Sequence, residues 1–175
     1  QLITKAAANR PDAIALSYGK ANLSYGQLHD AVTRFASGLI GLGLQRGERV
    51  AIYLEKRFET VIASFGAPAA GGVFVPLNPL LKAEQVGYIL RDCNVRILVT
   101  SPERLALLQE TLPACHDLRH VVVLDAAEPL PETGALNSCR WSELLAQPSA
   151  TGHRVIDTDM LGILYTSGST GKPKG

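Results

Sequence analysis

Short apolar segments alternate with amphipathic segments along most of this 175-residue chain. Four apolar segments are short and have no polar face, as in strands that are buried on both sides. They are residues 49–54, 73–75, 96–100 and 120–124. Residues 59–70 and 82–92 lie between them and are predicted helices. This alternation predicts an α/β fold with a mainly parallel sheet flanked by helices.

The first part of the chain is predicted to form a helix end and a hairpin outside the parallel sheet. Residues 1–10 are the end of a predicted helix, which Pro11 closes. Residues 13–18 and 21–24 are short predicted strands that Gly19 and Lys20 join, and this is a hairpin pattern. We therefore expect a small antiparallel pair before the parallel sheet begins.

A long helix is predicted directly after the hairpin. Ser24 and Gln27 have the spacing of a capping box, in which each side chain satisfies a free N–H group near the helix start. Gly41 and Gly43 are expected to end the helix. Its apolar face comprises Leu28, Val32, Phe35, Ala36, Leu39 and Ile40.

The last third of the chain is less regular. Residues 125–139 contain two prolines and a glycine without periodicity, so we interpret them as a surface excursion. Residues 141–145 are one or two helical turns, and residues 161–165 are the final predicted strand. Ligands of open α/β sheets bind at the carboxyl ends of the strands. A ligand-binding loop after residue 165 is therefore expected at that edge.

Composition and charge exclude several classes of protein. Hydrophobic residues make up 46% and charged residues 19%, which is typical of a folded globular protein. Lys and Arg number 17 against 16 Asp and Glu, and no basic stripe indicates a nucleic-acid partner. Residues 61–81 carry no charge, but Pro68, Pro76 and Pro79 would break a spanning helix. We expect a buried helix that leads into a buried strand, and no transmembrane segment.

The cysteines indicate a compartment rather than a metal site. Cys93, Cys115 and Cys139 are odd in number and widely spaced, which predicts free thiols in a reducing, cytoplasmic environment. Cys115, His116 and His120 could be considered as zinc ligands, but they include a single thiol and run into an apolar segment. We therefore do not predict a zinc site.

The end of the chain has the composition of a polyphosphate-binding loop. Residues 165–175 contain three glycines, four Ser or Thr hydroxyls and two lysines. Glycines let the backbone approach an anion, and consecutive N–H groups form a concavity that suits phosphate oxygens. The Walker pattern fails because Pro173 follows Gly171 and Lys172, and the Rossmann pattern fails because Thr166 stands at its first glycine.

Residues 166–175 instead resemble the phosphate-loop signature of the adenylate-forming superfamily, which includes acyl-CoA synthetases and the adenylation domains of peptide synthetases. Residues 23–28, 44–52 and 70–79 are similar to earlier segments of that family, in the right order. The resemblance implies that residues 1–175 are the N-terminal part of an AMP-binding domain, truncated after the phosphate loop. The fold would be the first part of that family's large N-terminal domain.

This resemblance implies a reaction in two halves. A small carboxylic acid reacts with ATP and Mg²⁺ to give an acyl-adenylate and pyrophosphate. A thiol, either coenzyme A or the pantetheine of a carrier protein, then displaces AMP. The family's later magnesium, ribose and lysine residues would lie beyond Gly175, so we expect that the chain alone does not complete adenylation.

The resemblance also implies roles for individual residues. Thr166 would contact the metal as well as phosphate, and Lys174 would be the catalytic cation, with Lys172 as a second charge. Tyr165 is expected to pack at the end of the strand. The residues expected to bind the nucleotide are Thr166, Ser167, Gly168, Ser169, Thr170, Gly171, Lys172 and Lys174.

The branch of the family is predicted from residues 163–165, before the loop, and from residues 76–79. Asn78, where peptide-synthetase domains often have Asp, favours an acyl-CoA synthetase, an AMP-forming acid–thiol ligase of the kind found in fatty acid metabolism. The alternatives are a peptide-synthetase-type adenylation domain that loads a carrier protein and a non-catalytic nucleotide-binding remnant, because a fold does not guarantee activity.

Overall fold

The structure is a computed structural model that describes residues 2–126, 129–130, 133–166 and 173–175. In chain order its elements are α1 (Leu2–Asn9), β1 (Ile14–Tyr18), β2 (Ala21–Ser24), α2 (Tyr25–Gly41), β3 (Arg49–Tyr53), α3 (Phe58–Ala69), β4 (Val73–Pro76), α4 (Ala83–Asp92), β5 (Val95–Thr100), α5 (Pro102–Leu108), a 3-10 turn (Leu112–Ala114), β6 (His120–Val123), β7 (Asn137–Arg140) and α6 (Trp141–Leu145).

Five of the strands form one sheet in the order β4-β3-β5-β6-β7, and every neighbouring pair is parallel. Successive side chains of a strand point to opposite faces of the sheet. On β3, Val50 and Ile52 belong to a core with α2 and α3, whereas Ala51 and Tyr53 belong to a core with α4 and α5. The predicted fold, a mainly parallel sheet flanked by helices, is confirmed.

The local predictions for the first part of the chain are also confirmed. β1 and β2 form an antiparallel pair. The Ser24 Oγ atom accepts a hydrogen bond from the Gln27 N–H group at 3.3 Å, and the Gln27 side chain accepts one from the Ser24 N–H group at 2.9 Å.

Residues 61–81 comprise most of α3, all of β4 and the turn that follows. Within the described residues, no helix is long and apolar enough to cross a membrane.

The interpretation of residues 125–139 as a surface excursion is wrong at its C-terminal end. β7 (Asn137–Arg140) pairs in parallel with β6, from His120 opposite Asn137 to Val123 opposite Arg140. The strand lies at the edge of the sheet and is at most half-buried. Polar residues are tolerated there, because main-chain hydrogen bonds to β6 hold the strand and its outer side faces solvent.

The final predicted strand, residues 161–165, is wrong in its extent. Only Gly162 is bridged, in parallel, to Phe74 of β4. The Phe74 N–H group donates to the Leu161 carbonyl at 3.1 Å, and the Ile163 N–H group donates to the Phe74 carbonyl at 3.0 Å. Leu161 and Leu164 remain exposed. The segment turns away after this bridge, so its apolar residues do not form a continuous ladder with β4.

Candidate nucleotide-binding site

The predicted phosphate loop is reached through a connecting segment, residues 147–160, which follows α6. The His153 Nε2 atom lies 2.9 Å from the Leu44 carbonyl oxygen. The Arg46 guanidinium donates two hydrogen bonds to the Asp159 carboxylate, at 3.2 and 2.5 Å. These contacts hold the segment against the turn between α2 and β3. The hydrogen bond from Arg46, and then that from the Ile156 N–H group, lower the pKa of Asp159.

Tyr165 fixes the chain just before the loop. Its hydroxyl donates to a carboxylate oxygen of Asp92 at 2.5 Å, and its half-buried ring packs against the core that contains α4. Burial and then the Asp92 carboxylate raise the pKa of Tyr165 well above its ordinary value, so the hydroxyl stays protonated and donates. Burial also raises the pKa of the neighbouring Cys93 thiol. Tyr165 therefore packs against the core, as predicted, but it lies at the end of α4 and not at the end of a strand.

Two of the predicted site residues meet at the neck of the loop. Thr166 and Lys174 form an antiparallel bridge, with N–H to carbonyl distances of 2.9 and 3.0 Å. The Thr166 hydroxyl donates to the Lys174 carbonyl at 3.4 Å. Both residues are exposed. The other predicted residues lie outside the described part of the chain: Ser167, Gly168, Ser169, Thr170, Gly171 and Lys172.

The residues beside this neck lie at the amino-end edge of the sheet. Tyr165 and Gly175 line an open cavity of about 860 Å³ together with Arg49, Val73 and Asn94. Arg49 and Val73 begin β3 and β4, and Asn94 immediately precedes β5. Our expectation of the carboxyl-end edge is therefore wrong for the described flanks of the loop. The reason is that the chain leaves β4 after Gly162, and Tyr165 lies at the end of α4, where its hydroxyl bonds to Asp92.

A second cavity, of about 610 Å³, lies at the carboxyl-end edge. Its arginines are already paired with carboxylates. Arg57 contacts Glu59 and Asp125, both at 2.7 Å, and Arg104 contacts Glu55 at 2.9 Å. Because these acids neutralise the arginines, this cavity offers a polyphosphate little net positive charge.

The long-range contacts at the amino-end edge were not predicted from the sequence. Arg46 and Asp159 are 113 residues apart in the chain, and Tyr165 and Asp92 are 73 apart. No local pattern marks either pair, so only the three-dimensional structure reveals them. Among the residues that the structure describes, no cluster of three or more His, Cys, Asp or Glu side chains could hold a metal ion.

The parallel sheet with helices on both faces places the chain in the class of α/β proteins. Comparison with known proteins narrows this class, because residues 3–175 match the AMP-binding enzyme family. The chain belongs to that family.

Individual relatives agree with this assignment. The chain is 34% identical to tyrocidine synthase 3 of Brevibacillus parabrevis over its whole length, which is 2% of that protein. It is 29% identical to surfactin synthase subunit 1 of Bacillus subtilis (strain 168) over its whole length, which is 4% of that protein. The chain therefore spans only a small part of these curated relatives.

Solved structures share the fold. The anthranilate CoA ligase AuaEII, in complex with anthranoyl-AMP, matches with a TM-score of 0.86 and 28% identity, over 98% of this chain and 32% of that one. Apo MbtA of Mycobacterium smegmatis matches with a TM-score of 0.85 and 28% identity, over 99% of this chain and 32% of that one. The chain thus corresponds to about a third of each of these proteins.

Proposed function

We propose that this chain carries the phosphate-binding loop of an enzyme that activates a carboxylic acid with ATP. A carboxylate oxygen of the acid attacks the α-phosphorus, and the bond from that phosphorus to the bridging oxygen breaks. The products are an acyl-adenylate and pyrophosphate. The observation that carries the proposal is the Gly/Ser/Thr/Lys loop at residues 166–175, in a chain that matches the AMP-binding enzyme family over residues 3–175.

Two described residues have proposed roles in this step. Lys174 is exposed beside the neck of the loop, and its ammonium would offset the charge that develops on the β- and γ-phosphates. Thr166 is the exposed partner of Lys174 in the same bridge. A hydroxyl oxygen suits Mg²⁺, which prefers oxygen ligands and is commonly held by few protein groups together with phosphates and water. When bound, Mg²⁺ supplies positive charge for the departing pyrophosphate.

The remaining loop residues would complete the phosphate site. Backbone N–H groups and hydroxyls at residues 167–170 would donate to phosphate oxygens, and Lys172 would add a second positive charge. Gly168 and Gly171 would allow the backbone to approach the nucleotide closely.

Two thiols are candidates for the acceptor of the second half-reaction. Asn78 and the similarity to a CoA ligase favour coenzyme A, which would make the enzyme an AMP-forming acid–thiol ligase. The curated relatives are peptide synthetases, and this favours the pantetheine of a carrier protein. In both cases the thiol attacks the acyl carbon and AMP leaves. Three free thiols, Cys93, Cys115 and Cys139, suit action in the reducing cytoplasm.

We further propose that residues 1–175 are the N-terminal part of a larger AMP-binding domain. The support is that the chain covers about a third of the CoA ligase and MbtA structures. The isolated chain is then expected to release no pyrophosphate in steady state, because the remaining groups for adenylation lie in the larger domain. Steady release by the pure chain would overturn this proposal.

The test is ATP–pyrophosphate exchange by the full-length protein that contains this chain, with fatty, aryl and amino acids in turn. Lys174→Ala should lower kcat/KM by about 100-fold, because removing one electrostatic stabiliser of the transition state costs that order. The matched control is Lys5→Ala, which changes an exposed lysine of α1 and should leave exchange unchanged.

The outcomes of this test are distinct. Exchange with one class of acid supports adenylation and identifies the substrate class. Binding of MgATP without exchange for any acid would instead support a non-catalytic nucleotide-binding remnant. Absence of MgATP binding would refute the proposed loop function altogether. Subsequent thioester formation with coenzyme A, or loading of a carrier protein, distinguishes the two acceptors.

A further inference from the structure

The Asp159 side chain joins two parts of the structure, the connecting segment and the turn that contains Arg46. Its carboxylate accepts two hydrogen bonds from the Arg46 guanidinium, at 3.2 and 2.5 Å. The same carboxylate accepts a hydrogen bond from the Ile156 N–H group at 3.0 Å, and the Asp159 N–H group donates to the Ile156 carbonyl at 3.0 Å. Asp159 therefore closes a turn of the connecting segment and ties that turn to Arg46.

The turn that holds Arg46 is itself well fixed. The Gly47 N–H group donates to the Gly71 carbonyl at 2.8 Å, and the Gln45 N–H group donates to the Glu48 carboxylate at 2.9 Å. The carbonyl of Leu44 in the same turn contacts His153, which supplies a second attachment of the connecting segment. Arg46 is thus a well-held support, because the residues on both sides of it are hydrogen-bonded through their N–H groups.

Few residues separate this attachment from the neck of the loop. The bridge of Gly162 to Phe74 begins two residues after Asp159, where the Phe74 N–H group donates to the Leu161 carbonyl. Thr166 follows seven residues after Asp159, and within those residues the chain is also held by the hydrogen bonds of Leu161 and Ile163 to Phe74 and of Tyr165 to Asp92. Asp159 is therefore the first of a short series of contacts that together fix the path of the chain to Thr166.

We propose that Asp159 is a positioning residue for ATP, and that with Arg46 it fixes the path of the chain that leads into the phosphate-binding loop. It acts through Thr166 and does not touch the nucleotide. This inference rests on the proposed function. The contrasting interpretation is an ordinary surface ion pair, which changes stability by little and leaves substrate binding unaltered.

Asp159→Asn is the first test, again in the full-length protein and with ATP–pyrophosphate exchange. Asparagine keeps one acceptor oxygen for the Ile156 N–H group but loses the charge and the bidentate contact with Arg46. We expect the KM for MgATP to rise about tenfold, since small displacements of binding groups reduce efficiency by up to about 100-fold. The KM for the acid should stay the same, because the loop holds phosphates.

The matched control is Asp125→Asn. Asp125 also forms an ion pair with an arginine, Arg57, at 2.7 Å, but it lies at the opposite edge of the sheet. Its backbone φ of 51° is a conformation that asparagine adopts readily. The KM for MgATP should be unchanged in this variant.

A second measurement does not depend on catalysis. Hydrogen exchange without nucleotide reports the Ile163 N–H group, bonded to Phe74, and the Thr166 N–H group, bonded to Lys174. Asp159→Asn should speed exchange at both amides, and Asp125→Asn should speed neither. If the unaltered protein shows no pyrophosphate exchange, the proposed function fails. Hydrogen exchange at the two amides still tests whether Asp159 and Arg46 hold the chain before the loop. Unchanged amide exchange, or equal KM values in the two variants, would overturn the inference.

Discussion

Replacing Gly71 with alanine tests how firmly the connecting segment is seated. Gly71 has a backbone φ of +85°, and a Cβ atom there would lie 2.9 Å from the Cβ atom of His153. Gly43 has nearly the same φ, +83°, but a Cβ atom there would meet no heavy atom of the described residues within 4 Å. The two alanine variants therefore share a strained backbone and differ in the contact with His153.

The expected magnitudes follow from these two effects. A left-handed alanine costs about 1–2 kcal/mol, and the lost freedom of the unfolded chain offsets about 0.4–1 kcal/mol. Gly43→Ala should therefore lower the free energy of unfolding by about 1 kcal/mol. Gly71→Ala should cost about 0.5–1.5 kcal/mol more, because His153 must move and its hydrogen bond to the Leu44 carbonyl is lost.

Thermal and urea unfolding of the two variants measure this difference. An additional 1 kcal/mol corresponds to a Tm lower by about 2–4 °C for a domain of this size. His153→Gly removes the Cβ atom that the methyl group of the Gly71→Ala variant would meet, so in that background the two alanine substitutions should have equal effects. If Gly71→Ala and Gly43→Ala destabilise the protein equally with His153 present, the proposed packing of His153 against Gly71 is refuted.

Two further predictions concern the sheet and the dependence on pH. Leu98→Ala, in a fully buried position of β5, should cost about 2–5 kcal/mol in urea unfolding, whereas Leu107→Ala on the exposed face of α5 should cost less than about 0.5 kcal/mol. Hydrogen bonds, first from Asn94 and then from Arg96, lower the pKa of Asp117. The stability that Asp117 contributes is therefore present above about pH 4 and lost as pH falls further, and Asp117→Asn should flatten that part of the pH–stability curve.

The parts of the fold that were predicted correctly depend on local patterns or on burial. The capping box of Ser24 and Gln27 lies within four residues, so the sequence contains the whole interaction. The strands β3, β5 and β6 are apolar on both faces because helices cover both sides of the sheet. Each of these signals is independent of where distant residues lie.

The strand β7 could not be predicted in this way. Its residues, Asn137 to Arg140, form no apolar run, because the strand lies at the edge and is only partly buried. Its pairing depends on the exposed main chain of β6, which becomes available only when the sheet has formed. The pattern of side chains does not predict a strand whose position is determined by main-chain hydrogen bonds.

For the loop, the sequence predicts the kind of ligand but not the location in the fold. Glycines, hydroxyls and lysines in residues 166–175 predict what the loop binds, whichever edge of the sheet it occupies. Its described flanks depend instead on contacts across the chain, from Tyr165 to Asp92 and from Asp159 to Arg46. If Asp159 positions the loop as we propose, a relative that kept residues 166–175 but lost this anchor would match the signature and bind MgATP weakly.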